Sequence, residues 1–151
     1  GTIVTIRLPT ESRRNAAGTT LPAALPAGVG MLLAEDFLID GKRLFVSMNM
    51  AGKVVMFDTS DPETPKVLKV LDLGANSGPH YLSLTSDERR LIITDYFLNE
   101  DDAGKVHAEG DHKVHVAKVT AMDLVLDPKF RLDFNTAFST GPARPHGVAF
   151  K

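Results

Sequence analysis

The chain is a succession of short apolar runs, mostly about 4 to 8 residues long, separated by charged or proline-containing turns. "GTIVTIRL", Gly1 to Leu8, alternates apolar and polar positions and is rich in β-branched residues, which predicts a strand. Pro9 to Gly30 contains Pro, Gly, Ser and Thr without a sustained period. It predicts a long loop or inserted segment, with at most a short helical turn in its Ala-rich part.

From Met31 onward the pattern repeats. "DGKRLFVSMNM" (Asp40 to Met50) aligns with "DERRLIITDYF" (Asp87 to Phe97), and "GKVVMFDTS" (Gly52 to Ser60) with "HKVHVAKVT" (His112 to Thr120). "KVLKVLDLG" (Lys66 to Gly74) matches "PKFRLDFN" (Pro128 to Asn135), with Leu71-Asp72 on Leu132-Asp133. Each unit predicts four short strands, the first ending at a charged turn ("IDGKR", "TSDERR") and the last following a Pro-containing one ("SDPETP", "LDP").

Tandem four-stranded antiparallel units predict an all-β fold built of β-propeller blades. One blade is expected over Met31 to Gly74. A second spans Pro79 to Asn135, with an inserted loop over Tyr96 to His112. Residues 146–151 are expected to begin the first strand of a third. Residues 1–30 precede the blades as a leading strand and long loop. Two full units are too few to close a ring. The chain is therefore expected to work with the remaining blades of a longer propeller, or with another subunit that completes the ring.

That topology gives the histidines a place. Connections between successive strands alternate between the two faces of a propeller, and the first strand of each blade lies nearest the central channel. His80 in "SGPHYLSL" and His146 in "ARPHGVAF" each precede a first strand, so they should meet near the channel mouth from adjacent blades. The insertion carries Asn99, Glu100, Asp101, Asp102, His107, Glu109, Asp111 and His112. It should lie over the same mouth, as should the short link with Met48 and Met50.

Composition narrows the chemistry. The 151 residues are 43% hydrophobic and 24% charged, as in an ordinary globular protein. The net charge is −2 with no basic block, so nucleic acid is not an expected partner. No apolar run approaches the roughly 20 residues of a membrane-spanning helix, and no membrane partner is expected. Absence of cysteine excludes disulfides, thiolate ligands and a cysteine nucleophile within these residues.

Imidazole suits copper, zinc, iron and nickel, so a converging His80 and His146 would make half of a metal site. Pro79 and Pro145 restrict the backbone before each ring. Further ligands could come from other blades or from His107 and His112, and Asp95 and Asp101 are candidates to fix an imidazole tautomer from behind. His115 falls inside a strand, on the face of Lys113, which suits a hydrogen-bonding role. Met48 and Met50 suit packing. The oxygens of "NEDD" do not follow the spacing of a twelve-residue calcium loop.

"SGPHYLSLTSDERRLIITDYFLNEDDAGKVHAEGDHKVHV", "LDPKFRLDFNTAF" and "GPARPHGVAF" resemble the selenium-binding protein family, which includes copper-dependent methanethiol oxidases. The likeness runs from about Gly30 to Lys151 and corresponds to the C-terminal part of family members. It implies a closed β-propeller parent, a copper centre held largely by histidines, and oxidation of a small thiol by oxygen. Residue by residue it carries the ligand role to His146 of "ARPHG" and His80 of "GPHY". Selenium binding in the family goes with an N-terminal cysteine, and it does not carry over to a chain with none. Two functions of different class are open: a section of a thiol oxidase, or a non-catalytic propeller scaffold that binds a small ligand or a protein.

Overall fold

The computed structural model describes residues 12–14, 20–22, 34–39, 42–61, 63–96, 99–100, 102–107 and 110–150. The strand expected over Gly1 to Leu8 lies outside them. Within the segment read as a loop, β1 (Ser12–Arg14) and β2 (Thr20–Pro22) pair antiparallel. Two three-residue strands are too short to impose a period on the sequence, which is why the pattern missed them.

The first unit is a four-stranded antiparallel sheet in simple sequential order: β3 (Ala34–Ile39), β4 (Arg43–Met48), β5 (Lys53–Asp58) and β6 (Lys66–Asp72). A single 3-10 turn, Asn49–Ala51, joins β4 to β5. The second unit pairs β7 (Pro79–Leu84) with β8 (Arg90–Asp95). The insertion then forms a small hairpin, β9 (Asn99–Glu100) with β10 (Val106–His107). The chain returns as β11 (Lys113–Val119), which pairs β8.

The fourth strand of this unit is split. β12 (Leu124–Leu126) and β13 (Leu132–Asp133) both pair β11, with a turn at Asp127 and Pro128 between them. Proline cannot donate to the ladder, so the strand breaks there. The aligned dipeptides nevertheless keep their register. Lys53 faces Asp72 and Val54 faces Leu71, just as Lys113 faces Asp133 and Val114 faces Leu132.

Alternate residues of each strand explain how the sheets stack. Phe45, Val54, Met56 and Leu71 of the first sheet meet Leu82, Leu91, Ile93, Ala117, Val119 and Leu124 of the second in one buried cluster. The opposite face of the first sheet carries a separate cluster of Leu44, Val46, Met48, Val55 and Phe57. Burial on both faces accounts for the unbroken apolar runs "LFV" and "VVMF", where a half-exposed strand would alternate. Met48 packs within the second cluster, as a filler of apolar space.

Both sheets turn into their third strand in the same way. Gly52 and His112 occupy aligned positions and both adopt left-handed backbone, with φ of 63° and 50°. Each carbonyl accepts an N–H from beyond the fourth strand: Leu73 N to Gly52 O at 2.9 Å, and Phe134 N to His112 O at 3.0 Å. Glycine is required in the first turn, because a Cβ on Gly52 would collide with the Gly74 carbonyl oxygen. Gly52→Ala is expected to destabilise the protein by at least about 2 kcal/mol, since it adds a clash with fixed backbone to a left-handed alanine. Urea titration checks this, and an unchanged midpoint would contradict the reading of the turn.

Candidate metal centre

The backbone of β7 is irregular at one residue. Pro79 faces Asp95 and Tyr81 faces Thr94, so His80 is the extra residue of a β-bulge. A bulge re-aims a side chain that regular pairing would direct elsewhere. The neighbouring sheet holds this bulge in place. Ser47 Oγ donates to the His80 carbonyl at 2.9 Å. The buried Asn49 amide donates to the carbonyls of Gly78 at 3.1 Å and Tyr96 at 3.2 Å. One side chain of the first sheet thus ties together the entry to β7 and the exit from β8.

His146 arrives from the other end of the chain. Residues 141–150 carry no regular secondary structure, so the strand expected to start here is absent among the described residues. A strand requires a neighbour for its N–H and C=O groups, and no described strand pairs with this segment. The segment is fixed by other contacts. Ala143 N donates to Phe134 O at 2.9 Å, Pro145 is buried, and Thr94 Oγ1 donates to the His146 carbonyl at 3.3 Å.

The two histidines meet. Their Nε2 atoms are 3.1 Å apart, and the rings stack with centroids 4.9 Å apart and planes 21° from parallel. Two tyrosines complete the group. Tyr81 sets its edge against His80 at 4.6 Å and against His146 at 5.0 Å. Tyr96 tilts over His146 at 4.7 Å and His80 at 5.5 Å. Two imidazole nitrogens at this distance can share one proton, or can both bind one metal ion. With metal–nitrogen bonds of about 2.0 Å, a 3.1 Å separation corresponds to an angle of about 100° at the metal, within the range of tetrahedral and square arrangements.

Asp95 points away from this pair. Expected to fix an imidazole tautomer from behind, it places its Oδ2 2.6 Å from Nε2 of His115. Aligned register explains the contact. His115 faces Ile93 across β11 and β8, so Asp95, Ile93, Lys113 and His115 project from the same side. Asp111 joins them, and one ligand atom each from Asp95, Asp111 and His115 lies within 4.8 Å of the others. Lys113 Nζ bonds Asp111 Oδ2 at 2.9 Å. Burial pushes the Asp95 carboxyl up to about 7, with a smaller upward push from Asp111 and an opposing pull from His115.

The remaining candidates are scattered. His112 is buried at the left-handed turn before β11, and its Nδ1 is 3.1 Å from Oδ1 of Asn135, whose amide donates to the Asp111 carbonyl at 2.8 Å. Its position is that of a turn residue. His107 stands on β10, opposite Asn99 of β9. Asp101 lies outside the described residues. Sequence reasoning missed Tyr81 and Tyr96, although each adjoins a residue it singled out, because their contacts with the histidines join segments far apart in the chain.

No protein-family model and no curated protein matches this chain. A hypothetical selenium-binding protein from Sulfolobus tokodaii has a similar structure, with a TM-score of 0.53 and 21% identity over 68% of this chain. The match covers 26% of the Sulfolobus chain, so the present residues span about a quarter of that relative's length. At this identity the similarity is one of fold.

Two predictions follow from the geometry. Asn49→Ala removes the side-chain donor from the Tyr96 carbonyl and leaves the Gly78 carbonyl with the Tyr96 N–H alone, and it is expected to cost about 1–3 kcal/mol, with loss of the tyrosine near-ultraviolet circular dichroism at the site. An unaltered spectrum and stability would show that the clamp is dispensable. For Asp95, the folded carboxyl holds a proton up to about pH 7, whereas the unfolded one releases it near 3.8. Stability contributed by this group therefore falls as pH rises from about 4 to 7 and is level above. In metal-free protein, Asp95→Asn is expected to be more stable than the wild type at pH 7.5 by roughly 2–4 kcal/mol, with the difference shrinking toward pH 4. A difference independent of pH would contradict the assignment.

Proposed function

We propose that the two stacked sheets are adjacent blades of a β-propeller and that His80 and His146 hold copper at its channel mouth. In this reading the chain is a section of a copper-dependent thiol oxidase of the selenium-binding type. Methanethiol, oxygen and water would yield formaldehyde, hydrogen sulfide and hydrogen peroxide. The observation that carries the proposal is the convergence of the two "PH" histidines, 66 residues apart in sequence, with Nε2 atoms 3.1 Å apart. The sequential strand order and the face-to-face stacking of the two units support the propeller reading, and the fold similarity to the Sulfolobus protein supports the selenium-binding type.

The donor set fits copper, which accepts imidazole in either common oxidation state. When bound, copper would supply the electron transfers between thiol sulfur and oxygen. The chain's own part is placement. Ser47 fixes the His80 backbone and Thr94 that of His146, so both rings approach from restrained main chain. Tyr81 and Tyr96 wall the pair with apolar ring surface, which favours a small methylthio group and limits water around it. His146 is exposed, so the pair stays accessible from one side to a small substrate.

Copper titration of the intact protein tests the proposal. His146→Ala is expected to lower copper affinity at least roughly tenfold, and His80→Ala with His146→Ala together to abolish methanethiol oxidation. Full copper occupancy and activity in the double variant would overturn the reading and leave the ligand-binding scaffold in its place.

A further inference from the structure

A second group of donors stands apart from the histidine pair, on the face of the second sheet that packs against the first. We infer that Asp95, Asp111 and His115 form a separate site for a first-row divalent cation of the zinc type. The trio comes from β8, the turn before β11, and β11 itself, so its geometry depends only on the pairing of these two strands and that turn.

Two buried carboxylate oxygens point to the cation. The Asp95 side chain is 0% exposed, yet its Oδ1 has no hydrogen-bond partner, and Oδ1 of Asp111 is likewise buried without one. Outside the trio, no described residue hydrogen-bonds the Asp95 carboxylate. Buried carboxylate oxygens without donors are rare and costly, and a cation or a shared proton is what relieves them. The ligand atoms lie within 4.8 Å of one another. Donors on a tetrahedral cation with bonds of about 2.1 Å lie about 3.4 Å apart, so the widest pair of the trio would close by at most about 1.4 Å on binding.

The donor types select among ions. Two carboxylates balance the charge of a divalent cation, and the imidazole favours zinc, cobalt or iron over calcium and magnesium, which take oxygen ligands. Lys113 occupies one oxygen of Asp111 but is 43% exposed, so it can swing into solvent as a cation enters. It therefore competes with the cation for Asp111.

The inference does not depend on the copper reading, and its test is built to separate the two. Zinc is titrated calorimetrically into the intact protein carrying His80→Ala and His146→Ala, which lacks the other pair. One zinc equivalent is expected to bind. Adding Asp95→Asn or His115→Gln should weaken it roughly tenfold or more, while Lys113→Met should tighten it. Cobalt in place of zinc should give visible absorption that His115→Gln alters, a readout that a merely structural role for His115 would not produce. Asp111→Asn serves as an independent second variant and should weaken zinc likewise. No zinc binding in the double variant, or binding indifferent to both Asp95→Asn and His115→Gln, overturns the site and leaves a carboxyl pair sharing a proton.

Discussion

The arrangement depends on a polar clamp across an otherwise apolar interface. Ser47 and Asn49, at the end of one strand of the first sheet, donate to three carbonyls of the second: His80, Gly78 and Tyr96. Apolar burial alone would hold the sheets together without deciding how far one slides on the other, because hydrophobic contact has no direction. Hydrogen bonds do have direction, and buried ones are expensive to break. The clamp therefore sets the relative position of the sheets at the end where the histidines lie.

That placement makes the bulge at His80 tolerable. The extra residue leaves its main-chain groups out of the ladder, and Ser47 supplies the donor that the missing ladder bond would have provided. With the backbone so held, His80 turns toward the incoming C-terminal segment and stacks on His146, and the tyrosines on either side close around them. Asp95, one residue before Tyr96, leaves the same strand on the opposite side and faces the Asp111–His115 group. Two clusters of different character thus sit at one end of one sheet, the first built of aromatic rings, the second of carboxylates and an imidazole.

Much of the architecture was legible because it is written twice. The two halves of the repeat each fall on one of the two larger sheets, and the aligned dipeptides Leu71-Asp72 and Leu132-Asp133 occupy matching register positions. Gly52 and His112 adopt the same left-handed turn despite their different chemistry. The small hairpin of β1 and β2 and the split of the fourth strand were not legible, since strands of two or three residues leave no period to detect. At the site, the recurrence of "PH" drew attention to His80 and His146, whose rings meet, while the sequence named no particular imidazole for Asp95. The repeat's register already put Asp95 and His115 on one side of the sheet, and reading that face across β8 and β11 would have linked them.

The sequence by itself determined the longer strands, their order within each unit and which residues recur at equivalent places, because alternation and turn chemistry are local properties of the chain. Tertiary structure decided what those residues touch. Whether a histidine faces another histidine, a carboxylate or an asparagine depends on a one-residue bulge, on the seating of one sheet against the next, and on a segment about 66 residues away. Such contacts join distant parts of the chain, and they exist only once the apolar faces have met and the clamp has set their alignment.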